Sequence, residues 1–304
     1  MGSPESFPID ENRPMTVGGI GSFKADDGYT IRYRRYRAAA EPRAIVVCVH
    51  GIQSHAGWYD ASCRHLSHQG FEVFFVDRRG SGMNGEDRGH CTGINQLTTD
   101  VVRAIEHTRS EVPGRPVFLV GISWGGKLVA ATLKAHPELV DGLVLVCPGF
   151  FAKIGPTFRE RMIIGGSFLV WPRRPVRVPL TEPYLFTDSF EWQEFLAHDR
   201  RLLRTGTVRL LMTSVFMDGV VRNAPKQIKV PVVTFLAGKD RIIDNDRVRN
   251  YVSRFASTDK QVVEYPSFHH TIEFESDPRP FFRDLTDWLN VRTERFTTPT
   301  RLSG

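Results

Sequence analysis

The chain has 304 residues, of which 41% are hydrophobic and 24% charged, and its formal net charge at pH 7 is +6. This length and composition predict one large globular domain, or one domain with an insertion. The N-terminal stretch MGSPESFPIDENRP lacks the basic and apolar regions of a signal peptide, and no apolar run reaches the roughly 18 residues that a membrane span requires. No nucleic-acid-binding motif is present. We therefore expect a cytoplasmic protein without a nucleic-acid partner.

Strand and helix patterns alternate through the first half of the chain. Apolar or alternating runs predict strands at SFKADDG, TIRYRRYRA, AIVVCVHG, FEVFFVDRRG, PVFLV and DGLVLVCPG. Helical patterns lie between them, at ASCRHLSHQG, NQLTTDVVRAIEHTRSE and KLVAATLKAHPE. The alternation predicts an α/β fold with a mostly parallel eight-stranded sheet, covered by helices on both faces and bordered by an edge hairpin.

The alternation stops between Phe151 and about Lys226, where prolines recur at 156, 172, 175, 179, 183 and 225 and no strand alternation is visible. This pattern predicts an inserted helical cap over 151–226, which divides a core of 15–150 and 227–292. After it come the strand VPVVTFLAGKD, the helix NDRVRNYVSRFAS, the strand KQVVEYPSF and the helix PRPFFRDLTDWLN. The polar ends, before about residue 15 and after about 292, are expected to be loosely held.

The stretch VFLVGISWGG places a serine directly between a buried strand and a helix. A turn this tight brings its flanking positions against neighbouring backbone, so glycine is favoured there, and Gly121 and Gly125 occupy those positions. The residue at the corner, Ser123, is then strained, with its side chain exposed above the sheet. The pattern is that of a G-x-S-x-G nucleophile elbow, and a purely structural turn is the alternative.

A serine nucleophile needs a base, and the base needs a carboxylate, which in this chain order should follow later strands. After VPVVTFLAG the chain offers Asp240, Asp244 and Asp246; we predict Asp240 as the acid because it comes first after the strand, with Asp244 next, while a helix N-cap is expected at 244 or 246. The other acid position, after DGLVLV, reads CPGFFAK and has no carboxylate. His269 and His270 follow the last strand, and we favour His270 as the base.

The oxyanion of a tetrahedral intermediate needs two N–H donors. The amide of Trp124, at the head of the helix after the elbow, is expected to be one of them. The second should follow the strand AIVVCVH, where we choose the amide of Ile52, with Gly51 permitting the sharp turn. His50 is expected to fix this loop rather than to act in catalysis.

The cysteines Cys48, Cys63, Cys91 and Cys147 show no C-x-x-C pairing, and two of them lie in apolar strand-like runs. We expect buried free thiols rather than disulfides or a metal site, and no metal or organic cofactor.

Together these residues resemble the α/β-hydrolase superfamily and, within it, the monoacylglycerol lipase and lysophospholipase group of serine aminopeptidase S33-type hydrolases. The segments that carry the resemblance are HGIQSHAGWYD, DRRGSGMNGEDRG, GISWGG, GKDRIID and HHTIEFE, in order between about residues 18 and 290. The resemblance maps the acid to Asp240 and the base to His270. Four positions depart from the group's pattern, with Trp58 in place of arginine, Ser81 and Ile122 in place of histidine, and Trp124 in place of methionine.

The resemblance implies hydrolysis of a carboxylic ester with one fatty acyl chain through an acyl-enzyme. A short-chain carboxylesterase, an acyltransferase or a non-catalytic ligand-binding protein would share the same pocket. Apolar pieces of the cap, RMIIGGSFLVWP and RLLMTSVFMDGVV, are expected to line an acyl tunnel and face a membrane or micelle surface, unless they only pack the cap onto the sheet. The cap carries 12 Lys and Arg against 7 Asp and Glu, which favours an anionic surface or simply a solvated face.

Overall fold

The computed structural model describes residues 19–297, so the predicted start of the core at residue 15 and the N-terminal stretch lie outside the described residues. Ten strands are formed: β1 (Ile20–Lys24), β2 (Thr30–Tyr36), β3 (Ala44–Val49), β4 (Phe71–Val76), β5 (Val117–Ile122), β6 (Gly142–Val146), β7 (Pro175–Arg177), β8 (Thr205–Thr207), β9 (Val232–Ala237) and β10 (Lys260–Tyr265). Eight of them make one sheet in the order β1-β2-β4-β3-β5-β6-β9-β10. The hairpin β1-β2 and the pair β2-β4 are antiparallel and all other pairs are parallel, which confirms the predicted sheet and edge hairpin.

Helices cover both faces of this sheet. The α-helices of the described residues are α1 (Asp60–His68), α2 (Ile94–Glu111), α3 (Trp124–Ala135), α4 (Phe158–Val170), α5 (Phe190–His198), α6 (Val208–Arg222), α7 (Asn245–Ser253) and α8 (Arg279–Thr297), of which α4, α5 and α6 belong to the segment 151–226. Consecutive strand residues point to opposite faces. Cys48 shares a small cavity with α1 and α8, whereas Val49 shares another with α2 and α3, so the two helix pairs lie on opposite sides. No helix within residues 19–297 is both long enough and apolar enough to cross a membrane.

The central strands β3, β4, β6 and β9 are buried at every residue, while the edge strands β1 and β10 have exposed positions. Continuous apolar runs are what a strand covered on both faces requires. Because β3, β5, β9 and β10 run parallel, the loops that follow them all emerge at one edge of the sheet. That edge is where the residues predicted to act together should meet.

The inserted segment, residues 151–226, lies between β6 and β9 and contains α4, α5 and α6. It also contains β7 and β8, which pair antiparallel over three residues each. The segment predicted to be helical therefore also holds two strands, which at three residues each are too short to show alternation in the sequence. Whether the segment acts as a separate cap with the predicted boundaries stays a prediction.

Hydrogen bonds tie the inserted segment to the loops at the carboxyl edge of the sheet. Asp199 accepts from Nε1 of Trp58 at 2.8 Å and lies 3.0 Å from Nε2 of His55. On the opposite side, the amide of Thr271 donates to the carbonyl of Phe186 at 3.0 Å. The segment is thus held both near the loop after β3 and near the loop after β10.

The last helix is longer than the sequence pattern indicates. We expected a helix ending near residue 290 and a loose chain after about 292, but α8 continues to Thr297. Two arginines of its last turns, Arg292 and Arg295, form ion pairs with Asp259 at 2.6 and 3.0 Å. These pairs link polar residues of the helix to a turn of the core, which a hydrophobic pattern does not reveal.

A buried carboxylate links the loop after β10 to the start of α1. Glu273 is 7% exposed, and its Oε1 accepts from the amide of Ser62, an N–H of the first turn that has no partner within the helix. Its Oε2 has no hydrogen-bond partner among the described residues. Burial raises the pKa of Glu273 from its ordinary value of 4.5 to about 7.

We expect the stability of the protein to depend on pH through Glu273. The carboxyl of the unfolded chain ionises as pH rises through 4.5, while that of the folded chain keeps its proton until about 7. The contribution of Glu273 to the free energy of unfolding is therefore fully present below pH 4.5 and is lost as pH rises to 7. The Glu273→Gln variant lacks this loss. We expect the free energy of unfolding of the variant, relative to that of wild type, to increase by about 3 kcal/mol as pH rises from 4.5 to 8. Urea unfolding of both proteins at each pH measures this difference.

Glu138→Gln is the matched control, because it makes the same chemical change at an exposed turn. It should follow the wild-type pH dependence throughout. Parallel pH profiles for wild type and Glu273→Gln would contradict the prediction.

Candidate active site

Ser123 lies at the corner between β5 and α3 and has a backbone φ of 51°, a region that L-residues rarely adopt. The flanking glycines are required by space. A Cβ on Gly125 would collide with the carbonyl oxygen of Val49, and a Cβ on Gly121 would collide with the Val129 side chain and lie 2.8 Å from Cα of Gly126. The strand and helix can therefore approach closely only with these glycines, and the serine is left at the carboxyl edge of the sheet.

The structure brings Ser123, His270 and Asp240 into one hydrogen-bonded line. Nε2 of His270 lies 2.9 Å from Oγ of Ser123, and Nδ1 of His270 lies 2.7 Å from Oδ2 of Asp240. The other carboxylate oxygen of Asp240 accepts from the amides of Ile242 and Ile243 at 2.7 and 2.8 Å. Burial alone would raise the pKa of Asp240, but the His270 ring and these amides outweigh it and lower the pKa.

The alternative acids and the neighbouring histidine occupy other places. Asp244 is the N-cap of α7 and accepts from the amide of Arg247, and Asp246 forms an ion pair with Arg249 on the same helix. His269 faces away from the serine, with Nδ1 2.9 Å from Glu275 and Nε2 2.8 Å from Asp188, the latter without the alignment of a hydrogen bond. Of the candidate acids and bases, Asp240 and His270 are the two that are hydrogen-bonded in series to Ser123.

Two backbone amides beside Ser123 are not used by the fold. Neither the amide of Ile52 nor that of Trp124 donates to another residue in the part of the chain that the structure describes. Gly51 packs directly against the serine, since a Cβ there would lie 3.2 Å from Cβ of Ser123 and 3.5 Å from its Oγ. The loop glycine therefore lies against the serine, with Ile52 next to it in the chain, and Trp124 follows the serine directly, so their role in an oxyanion hole stays a prediction.

His50 is fully buried and holds the loop that carries Ile52. Its Nε2 lies 3.0 Å from the amide nitrogen of Arg78, which can only donate, so the proton of the neutral ring is on Nδ1. Nδ1 then donates to the carbonyl oxygen of Gly51 at 2.8 Å. Burial lowers the pKa of His50 well below 6.5, followed by the charge of Arg78, so the ring stays neutral.

The position after β6 that lacks a carboxylate is occupied by Cys147, with φ of 41°. Its Sγ, a carboxylate oxygen of Asp240 and a ring nitrogen of His270 lie within 4.8 Å of one another. Burial, followed by the charge of Asp240, raises the pKa of the Cys147 thiol well above 9, so a thiolate ligand is disfavoured. Asp240 and His270 are already bonded to each other, and this group therefore does not fit a resident metal. All four cysteines are buried and free.

The sequence did not predict the contacts of Trp124, which stands where the resembling group has methionine. Its ring reaches the inserted segment, where Nε1 donates to Oγ of Ser214 at 2.8 Å. The guanidinium of Arg78 lies over the same ring, 4.7 Å from its centroid. The large side chain directly after the elbow serine indicates that such contacts exist, but the sequence does not indicate which residues make them. Trp124 is only 5% exposed, so these contacts are buried.

The chain is similar to known lipases over most of its length. The family described as serine aminopeptidase, S33, matches residues 40–277. The monoacylglycerol lipase of Mycolicibacterium smegmatis is 25% identical, with 88% of this chain and 95% of that protein covered, and the human monoglyceride lipase is 24% identical, with 96% and 94% covered.

Solved structures agree in fold. A soluble variant of monoglyceride lipase from Saccharomyces cerevisiae, in complex with a substrate analog, superimposes with a TM-score of 0.82 at 21% identity, covering 95% of this chain and 99% of that one. The α/β-hydrolase fold predicted from the sequence is thus confirmed. Together with the family match over residues 40–277, these likenesses confirm the resemblance: the chain belongs to the hydrolase family described as serine aminopeptidase, S33.

Proposed function

We propose that the protein is a serine hydrolase that cleaves carboxylic esters with a single fatty acyl chain, of the monoacylglycerol or lysophospholipid type. The observation that carries the proposal is the line from Ser123 through His270 to Asp240, with hydrogen-bond distances of 2.9 and 2.7 Å. Curated relatives along nearly the full chain bear the names monoacylglycerol lipase and monoglyceride lipase. The chemistry requires no metal or organic cofactor.

In this reaction Oγ of Ser123 attacks the ester carbonyl carbon while His270 takes the hydroxyl proton at Nε2. The alcohol leaves with that proton, and an acyl-enzyme remains on the serine. Water then repeats the sequence and releases the fatty acid. Asp240 keeps the proton of the neutral ring on Nδ1 and stabilises the imidazolium, while the amides of Ile52 and Trp124 donate to the oxyanion.

An apolar cluster beside the oxyanion loop supports a fatty acyl chain as the substrate group. Ile164, Val208 and Leu211 of the inserted segment form a buried cluster, and the Ile52 side chain packs against both this cluster and the main core. Phe168 and Met212 line its partly buried margin. An acyl chain whose carbonyl oxygen lies at the Ile52 amide would begin at this cluster, and its apolar side chains match the chemistry of such a chain.

The inserted segment also presents apolar side chains to solvent. Five of them, on α4 and directly after it, are between 57% and 86% exposed: Phe158, Met162, Leu169, Val170 and Trp171. Exposed arginines stand among them, including Arg159 and also Arg173, which pairs with Asp87. An apolar face that carries cations suits the surface of an anionic membrane or mixed micelle, so we propose that this face contacts the lipid from which substrate is drawn.

The Ser123→Ala variant should lose both labelling by a fluorophosphonate probe and ester turnover, because the nucleophile is removed. The loss in kcat should be on the order of 10⁶. p-Nitrophenyl butyrate, a long-chain monoacylglycerol and a lysophospholipid are assayed side by side on wild type. Preference for the butyrate would favour a short-chain carboxylesterase, and a wild type that neither labels nor turns over would leave a ligand-binding pocket.

His270 and His269 form a matched pair, since they are adjacent and both buried. His270→Gln should reduce kcat on the order of 10⁶, because among residues 19–297 no other base is hydrogen-bonded to Ser123. His269→Gln should stay within about tenfold of wild type in kcat and lower the thermal midpoint, because it weakens contacts to Glu275 and Asp188. Steady-state kinetics with melting curves check both variants, and the reverse pattern would identify His269 as the base.

Sedimentation with vesicles tests the membrane contact. We expect Leu169→Gln combined with Val170→Gln to weaken binding to vesicles containing phosphatidylglycerol by about tenfold or more, because buried apolar side chains contribute about 1.5–3 kcal/mol each. Ile20→Gln combined with Val291→Gln, which alters exposed apolar residues outside the inserted segment, is the control and should bind as wild type does. Equal binding by all three proteins, or none by wild type, would sink the proposed contact.

A further inference from the structure

Arg78 is a buried cation that the proposed reaction does not use. It lies two residues after β4 and is 4% exposed. Burial lowers its pKa from 12.5 to about 10, so the guanidinium is still charged at neutral pH. Within residues 19–297 no carboxylate is at ion-pair distance from it, and its Nε has no hydrogen-bond partner. Burying a charge without a counter-ion costs free energy, so the contacts that Arg78 does make must account for its position.

The guanidinium binds the backbone of the loop after β3. Its Nη2 donates to the carbonyl oxygens of Gly51 and Ile52, both at 2.8 Å. The carbonyl of Gly51 also accepts from Nδ1 of His50. This carbonyl and the amide N–H of Ile52 belong to the same peptide group, which is planar and trans, so their bonds point in opposite directions. Two donors that hold the carbonyl therefore fix the direction of the Ile52 N–H.

Arg78 also contacts the residue that supplies the second amide. Its guanidinium lies 4.7 Å from the centroid of the Trp124 ring, whose Nε1 is bonded to Ser214 of α6. Ile52 lies in the loop after β3 and Trp124 begins α3, and this one side chain touches both residues. A charge-assisted hydrogen bond to the Gly51 carbonyl also polarises that peptide and makes its N–H a stronger donor.

We infer that Arg78 is a positioning residue for the oxyanion hole: through the Gly51 carbonyl it orients and polarises the Ile52 amide that receives the negative oxygen, while its guanidinium packs on the Trp124 ring. The inference deepens the proposed function and rests on it. When Oγ of Ser123 bonds to the carbonyl carbon, the C=O π pair moves onto oxygen and the hydroxyl proton moves to His270. The preset amides then bind the oxyanion without reorganisation.

The test compares Arg78→Met and Arg78→Lys with wild type, using p-nitrophenyl butyrate and an alkyl trifluoromethyl ketone. Oγ of Ser123 adds to the carbonyl carbon of the ketone, and the resulting adduct carries a stable oxyanion. We expect Arg78→Met to lower kcat about tenfold to a hundredfold, with KM within about twofold, and to weaken ketone binding by a similar factor. Arg78→Lys keeps the positive charge but has a shorter side chain with a single nitrogen. Its kcat and ketone affinity should lie between those of wild type and Arg78→Met.

Arg79→Lys is the matched control, since Arg79 is the neighbouring residue, is also buried, and pairs with Asp100 and Asp27 instead of the loop. It should lower the thermal midpoint but leave kcat and ketone affinity unchanged. If Arg78→Met does not fold, Arg78→Lys decides alone.

Wild-type kcat and ketone affinity in a folded Arg78 variant would overturn the inference. A fall in kcat without a fall in ketone affinity would overturn it as well. Both outcomes leave the serine hydrolase standing. A wild type that neither labels with fluorophosphonate nor binds the ketone would overturn the proposed function together with the inference.

Discussion

The close approach of β5 and α3 at Ser123 is the constraint on which the site depends. The serine adopts φ of 51°, and its glycine neighbours lie against the carbonyl of Val49 on one side and the Val129 side chain on the other. Such strain persists only when the surroundings over-determine it. Here β3 and β6, buried at every residue, hold the elbow strand from its two sides, and the parallel register brings the loops after β3, β9 and β10 to the same edge.

Much of the site was predictable because its residues lie in the loops that follow parallel strands. Ser123 comes directly after β5, while Asp240 and His270 lie in the loops after β9 and β10, and the carboxyl ends of parallel strands meet at one edge. The sequence also separated Asp240 from Asp244, since a position before a helical run indicates an N-cap, and Asp244 is the N-cap of α7. The order of helices and strands in the core was predictable for the same reason: periodicity reports burial.

The remaining features depend on contacts that have no sequence pattern. Arg78 binds backbone carbonyls of another loop, and every residue has a carbonyl, so nothing in the sequence marks its partners. Glu273 caps a helix far away along the chain, and β7 and β8 are three residues long. The end of α8 was missed because ion pairs with Asp259, and not an apolar stripe, hold its last turns.

Buried ionisable groups near the edge of the sheet illustrate how the fold assigns different protonation states to similar side chains. Asp240 accepts from two amides and a histidine and stays ionised, while burial with fewer donors raises the pKa of Glu273 to about 7. The two buried histidines differ in their partners. His50 accepts from a backbone amide and sits beside a cation, so it is neutral and holds a loop. His270 lies between a carboxylate at Nδ1 and a hydroxyl at Nε2, so of the two rings it is the one hydrogen-bonded to both a proton donor and a carboxylate.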